Sequence, residues 1–450
     1  MKEALAGIEL RDDAATRETF SKDESDQGRF PPELVVFPKN TAEVARVIKA
    51  CLDARVPVTP VGGRTGKSGG SLPIKGGVAL SLEKMNQIIA IRPGDLTATV
   101  QPGVVLGDLQ KAVEAQNLFY PPDPNSNVGC TLGGNIAENA GGPSALKYGV
   151  TRDYVLGLEW VLPSAEVIRV GRQTIKGVAG YDLVGLFVGS EGTLGVATEI
   201  TLKLLPLPRV IMTALLPFAD VLAAARAVNA VLTNGILPRC LELLDDVALQ
   251  AIKGKGVPFP DGAGAVVIAE VDGASEEGVF AELNALANIA TQHGAKEPQI
   301  AVDRDQRARL WNTRKLVSPS LREMKKHKFS EDIVVPRSRV PEAIERFKDI
   351  GRELNLTVAT YGHAGDGNLH TNVLYADPSE RPIVETALAK IMAVTVELGG
   401  TITGEHGVGI AKKKFLPLEQ SAEVIALQQR LKVALDPLVN LNPGKIFPDS

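Results

Sequence analysis

A chain of 450 residues is too long for one ordinary hydrophobic core, so two or three domains are expected. With 44% hydrophobic and 23% charged residues the composition is that of a soluble globular protein, and a net charge of −4 without a conspicuous basic run argues against a general nucleic-acid binder. The opening MKEALAGIELRDDAATRETF has no apolar h-region, and no later stretch approaches the ~20 apolar residues of a spanning helix. Neither a secretory leader nor a transmembrane segment is expected. The expected address is the cytoplasm, or the inner face of a membrane reached through a partner.

Residues 34–62 read as strand, helix, strand. Leu34 to Phe37 is a short apolar run closed by Pro38. Asn40 with Glu43 has capping-box spacing, and Val44, Val47, Ile48, Cys51 and Leu52 share one helical face. Val56 to Val61 follows as a strand, then strands near Val78–Leu82 and Thr97–Gln101 and a helix from Leu106 to Ala115. Pro206 and Pro208 mark a domain boundary. Beyond it strands are expected near 210–216 and 264–271, with helices near 219–233 and 275–293. A short strand at Asp332–Val335, a helix at Pro341–Leu354 and a helix near 380–398 complete an α+β pattern with antiparallel strands.

Three glycine clusters organise the first half. The first runs Gly62-Gly-Arg64-Thr65-Gly66-Lys67-Ser68-Gly69-Gly70-Ser71; its Gly66-Lys67-Ser68 resembles the end of a Walker motif, but that motif needs glycine at position 61, which is Val. A better reading is a nest of backbone N–H groups around a diphosphate, with donors added by Arg64, Thr65 and Ser68. The second cluster spans Gly129 to Gly142 and the third Gly177 to Gly195, and neither has dinucleotide-fingerprint spacing. Together they suggest a large phosphate-bearing cofactor held across several loops. Cys51, Cys130 and Cys240 are widely spaced and odd in number, which implies neither a disulfide framework nor an iron–sulfur cluster.

Three of the five histidines fall in two glycine-rich segments, Tyr361-Gly-His363-Ala-Gly-Asp-Gly-Asn368-Leu-His370 and Thr403-Gly-Glu405-His406-Gly-Val-Gly409. Two imidazoles, a carboxylate and a further histidine suit a divalent metal with a base beside it. One uninterrupted strand would send His363 and His370 to opposite faces, but Gly365-Asp366-Gly367 can turn the chain and bring both rings to one side. After the turn, Asn368, His370 and Asn372 share a parity. Glu405 and His406 are adjacent, so in extended chain they would face opposite ways. A zinc hydrolase or a facial-triad iron oxygenase would use the same donors.

The segments PVTPVGGRTGKSGGS, GCTLGGNIAENAGG, GYDLVGLFVGSEGTLGVATEI, GHAGDGNLH, GEHGVG and NPGKIFP are similar to those of the FAD-linked D-2-hydroxyacid dehydrogenases. That family includes D-lactate dehydrogenases, the flavoprotein subunit of glycolate oxidase and D-2-hydroxyglutarate dehydrogenase. The resemblance runs from about Pro32 to Phe447 with the motifs in family order. It implies the vanillyl-alcohol oxidase superfamily fold, an α+β chain with a two-part FAD-binding domain over 1–207. A cap (substrate) domain of antiparallel sheet and helices would take 208–404, metal site included, and 405–450 would return to the FAD domain.

The resemblance further implies FAD held by Gly62, Gly63, Arg64, Thr65, Gly66, Ser68, Gly69, Gly70 and Ser71, with Pro122, Thr131, Gly133, Gly134, Asn135, Asn139, Gly141 and Gly142. Glu191, Gly192, Gly195 and Val196 would complete the flavin site. Residues 1–292 contain no histidine, so a histidyl-flavin from the FAD domain is excluded; a link to Cys130 is conceivable, but non-covalent FAD is expected. His363, His370 and Glu405 match the ligands of a divalent ion (zinc, manganese or iron), His406 the base, Asn372 a residue near the substrate, and Arg314 a clamp for the substrate carboxylate. Without the resemblance, Arg314 reads as a surface helix charge. Where the 2-hydroxyglutarate enzymes carry a lysine before Asp332 this chain has Ser330, which favours a small substrate, D-lactate or glycolate. Electrons would leave to an electron-transferring flavoprotein, an iron–sulfur subunit, a cytochrome, a quinone or dioxygen.

Overall fold

The computed structural model describes residues 3–256, 259–301 and 303–449. The chain divides into two compact units. The first comprises Met1–Gly141, Gly149–Leu207 and Glu405–Ser450, and the second Gly142–Tyr148 and Pro208–Gly404.

In the first unit, Leu34–Phe37, Val78–Ser81 and Val58–Val61 form parallel neighbours in a four-stranded sheet whose outer strand is Glu9–Arg11. Leu34–Phe37 is buried on both faces, as continuous apolar runs in parallel sheets are. The helix Thr41–Ala54 starts where Asn40 Oδ1 accepts the Glu43 N–H at 2.9 Å. It buries Val44, Val47, Ile48 and Cys51 against the sheet's Leu34, Val36, Val58, Val78 and Leu80. A second, five-stranded antiparallel sheet orders Ile88–Arg92, Thr97–Val100, Val196–Lys203, Val155–Val161 and Val167–Gly171. Of these five strands only Thr97–Val100 was among those expected.

The second unit is built on one fully antiparallel sheet of seven strands. In chain order these are β1 (Val210–Phe218), β2 (Cys240–Leu244), β3 (Ala265–Gly273), β4 (Gln299–Ala301), β5 (His327–Val334), β6 (Thr357–His363) and β7 (Asn368–Tyr375). The spatial order is β4-β1-β3-β2-β6-β7-β5. One face carries Leu215, Leu244, Val266, Ile268, Ala359, Tyr361 and Leu374 into a core with Leu249, Leu310, Val317 and Leu321 of the helices Asp246–Ile252 and Arg304–Met324. The helices Val221–Thr233, Glu276–Gln292 and Val340–Glu353 cover the other. Strand β5 begins five residues before the expected Asp332. Its polar sequence, HKFSEDIV, suits an edge strand, where charge discourages pairing with another chain.

Candidate functional site

Within the first unit the glycine clusters meet. Gly409 has φ +50, and a Cβ there would lie 2.2 Å from Ser68 O, so only glycine fits. Ile410 and Ala411 donate to the same Ser68 carbonyl at 2.9 and 3.1 Å. The buried Glu191 carboxylate accepts the Val408 and Gly409 N–H groups at 2.8 and 2.7 Å. Asn442 ties Gly70 O to Glu191 O, and Lys445 donates to Leu72 O and Asn442 Oδ1. Burial pulls the Lys445 ammonium down to about 8, although Glu191, Asp23 and Glu138 pull the other way. The first and third glycine clusters are therefore joined to the Val408–Ala411 turn and the C-terminal NPGK segment.

The residues expected at the flavin lie mostly here. Arg64 stacks over Phe20 at 4.4 Å. Pro122 O accepts from Gln110 and Asn139 Oδ1 from Arg152 N–H. Thr131 precedes the short helix Leu132–Glu138, which holds Gly133, Gly134 and Asn135, and Val196 opens a sheet strand. Gly142 falls in the second unit. The hydroxyls of Ser68, Thr131 and Ser190, one from each glycine cluster, are buried without a hydrogen-bond partner among the described residues. Buried polar atoms require partners, and a polar cofactor laid along these loops would supply them. The loops thus fit FAD.

In the second unit the Gly365–Gly367 turn does what its sequence suggested. Gly367 has φ +91, and a Cβ there would lie 2.1 Å from Val335 O. The turn sets His363 opposite Asn368, and Tyr361 opposite His370, in the β6–β7 register. The β2–β6 register adds Glu242 opposite His363, and the β5–β7 register adds Asp332 opposite His370 and Ser330 opposite Asn372. Glu242, His363, His370, Asn372 and Asp332 therefore share one face. The His363 and His370 rings meet edge to face with centroids 5.2 Å apart.

Arg314 is buried rather than a surface charge. Its Nε donates to Glu242 Oε2 at 2.7 Å and its guanidinium lies 4.6 Å over the Tyr361 ring. Nη2 is buried without a hydrogen-bond partner among the described residues. Glu242 is fully buried, and its other oxygen meets His363 Nδ1. Burial pushes this carboxyl up, but its contacts with His363 and Arg314 outweigh that and hold it at about 2. Asp332 accepts from Asn368 Nδ2 at 2.5 Å, and its second oxygen takes Thr403 Oγ1 at 3.1 Å and the Gly404 N–H at 2.9 Å.

Glu405 follows Gly404 by one peptide bond. His363 and His370 each offer a ring nitrogen from this face, and Glu405, the expected third ligand, opens the last segment of the first unit. Two nitrogens and a carboxylate oxygen fit zinc, manganese or iron. Residues 404–406 form a bend and not extended chain, so His406 Nε2 comes to 3.8 Å from Glu405 Oε1 where opposite faces were expected.

Sequence reading missed three residues of this face. Glu242 is a lone acid in the apolar run Cys240–Leu244. Asp332 was expected only as part of a strand. Lys328 is buried two residues before Ser330, donating to Ser318 Oγ at 2.8 Å and Asn372 Oδ1 at 3.3 Å. Ser330 itself is exposed.

Family models for an FAD binding domain and for the C-terminal domain of FAD linked oxidases match residues 32–171 and 207–446. The chain belongs to the FAD-linked oxidase family. This oxidase is 42% identical to "Glycolate oxidase subunit GlcD" of Bacillus subtilis (strain 168), over 98% of this chain and 95% of the relative. It is 35% identical to "D-lactate dehydrogenase" of Anaerostipes hadrus, over 99% and 94%. Its fold matches that of p-cresol methylhydroxylase with substrate bound at a TM-score of 0.80 and 18% identity, covering 98% and 94% of the two chains. The FAD-linked oxidase thus has the vanillyl-alcohol-oxidase-type fold, and a metal enzyme without flavin is set aside. No helix among its described residues is long and apolar enough to cross a membrane.

Proposed function

We propose that this FAD-linked oxidase oxidises a small D-2-hydroxy acid, D-lactate or glycolate, to the 2-oxo acid and passes the electrons to a separate acceptor. The relatives named for glycolate and D-lactate support the substrate class. The observation that carries the reading is the polar sheet face of the second unit, where Arg314 Nη2 is buried without a hydrogen-bond partner among the described residues and Nε binds the Glu242 carboxylate that also meets His363.

Bound FAD would supply a hydride acceptor, and a divalent ion held by His363, His370 and Glu405 would supply Lewis acidity toward the substrate hydroxyl. The Arg314 guanidinium, already oriented through Nε, presents Nη2 to the substrate carboxylate and so selects the face of the α-carbon. His406 takes the hydroxyl proton on a ring nitrogen. Asn372 stands on the same strand face as His370 and orients the substrate by hydrogen bonding.

The FAD is non-covalent. Burial pushes the Cys130 thiol up and away from the reactive thiolate. Acid precipitation should release the yellow colour into the supernatant, and a coloured pellet would point to a Cys130 link. Turnover with an artificial dye as acceptor tests the activity itself. D-lactate or glycolate should yield the 2-oxo acid at a steady rate, and no product from any 2-hydroxy acid would overturn the reading.

A further inference from the structure

The Glu242 carboxylate sits at the meeting point of a strand, a helix and the histidine turn, with none of its surface exposed. Oε2 accepts from Arg314 Nε at 2.7 Å and Oε1 meets His363 Nδ1. The β2–β6 register places Glu242 directly opposite His363, so the contact is built into the pairing of the sheet. Arg314 is fixed from a second side by the Tyr361 ring, one strand position from His363 on the same face. A buried carboxylate between an imidazole and a guanidinium has a definite geometric consequence for each. A carboxylate facing Nδ1 favours the tautomer with the proton there, which turns the Nε2 lone pair toward the other side of the ring. A carboxylate on Nε of a guanidinium leaves the fork's far end to face a different anion.

We infer that Glu242 is a positioning residue that sets two groups at once, holding His363 with its proton on Nδ1 so that Nε2 is the ligand atom, and holding Arg314 by Nε so that Nη2 meets the substrate carboxylate. The inference rests on the proposed metal and substrate roles of His363 and Arg314. It adds that one buried acid, in contact with neither metal nor substrate, sets both.

The test reads the ring directly. FAD-loaded protein labelled with 15N-histidine is stripped of divalent ions, and proton–nitrogen correlations give the tautomer of each of the five histidines; His363→Asn assigns the signal. His363 is expected to carry its proton on Nδ1. In Glu242→Gln that preference should weaken, zinc affinity by equilibrium dialysis should fall 10- to 100-fold, and KM should rise. Glu242→Asp keeps a carboxylate and should recover part of the zinc affinity. A His363 proton on Nε2 in the unsubstituted protein would overturn the inference, and this measurement stands even if the Gln variant does not fold. An unchanged tautomer and zinc affinity within twofold in Glu242→Gln would overturn it as well. If the unsubstituted protein takes up no zinc, manganese or iron, the metal reading fails, while the tautomer still decides the role of Glu242.

Discussion

Replacing Arg314 with alanine should damage the enzyme in two separable ways. The residue is 4% exposed, gives Nε to Glu242 at 2.7 Å and covers the Tyr361 ring at 4.6 Å. Its removal leaves Glu242 buried with only His363 to offset its charge. Breaking a buried pair typically costs about 3–5 kcal/mol, and the remaining imidazole puts this case near the lower end. The kinetic loss is distinct, because the substrate carboxylate forfeits its partner. About 2–5 kcal/mol lost there, at 1.4 kcal/mol per decade, lowers kcat/KM by roughly 30-fold or more. Arg314→Lys keeps a charge without the planar fork, so it should recover much of the stability but only part of kcat/KM. Denaturant unfolding and steady-state kinetics on D-lactate and glycolate measure the two losses independently. Unchanged kcat/KM in the alanine variant would remove Arg314 from the substrate site, whatever happens to stability.

His406→Asn should keep the fold, the flavin and the metal but slow flavin reduction by roughly 10²–10⁴-fold in rapid-mixing experiments, the usual effect of losing a positioned base. Exhaustive chelation should abolish substrate oxidation while leaving the flavin bound, since the loops proposed to hold it carry none of the three proposed metal ligands; elemental analysis and activity on the same sample check this. Asp245 is fully buried at the start of the helix Asp246–Ile252, and burial raises its carboxyl to about 6 against the pull of Lys348 and of the Ala248 and Thr360 N–H groups. Between its ordinary value near 3.9 and about 6 the folded state binds more protons than the unfolded chain, so this group makes stability fall as pH rises through that window. The total is about 3 kcal/mol at 1.36 kcal/mol per unit, and Asp245→Asn should abolish that slope in urea unfolding followed across pH 4–7.

The parts of this chain governed by local rules were legible in its sequence. The Asn40 cap, the helix after it and the strand parity of Asn368, His370 and Asn372 depend on neighbours a few residues away. Glu242 was not legible, because its meaning comes from a strand 121 residues distant and a helix 72 residues distant. Arg314 misled for a related reason. Charged residues on an amphipathic helix ordinarily face solvent. Here Arg307, Trp311, Arg314 and Ser318 recur at helical spacing on the inward side, because the sheet beneath offers Glu270, Glu242 and Lys328 as partners. A polar stripe facing a polar sheet cannot be told from a solvated face by periodicity alone. The edge strand β5 was read short because its charges, suited to an edge, resemble those of a loop.

Anaerobic reduction of the flavin by a panel of D- and L-2-hydroxy acids tests the central claim most directly, since it needs no knowledge of the physiological acceptor. D-lactate or glycolate should bleach the oxidised flavin's visible absorption within the mixing experiment, and L-lactate should be far slower. A flavin that stays oxidised with every 2-hydroxy acid, in protein shown to hold its divalent ion, would contradict the account.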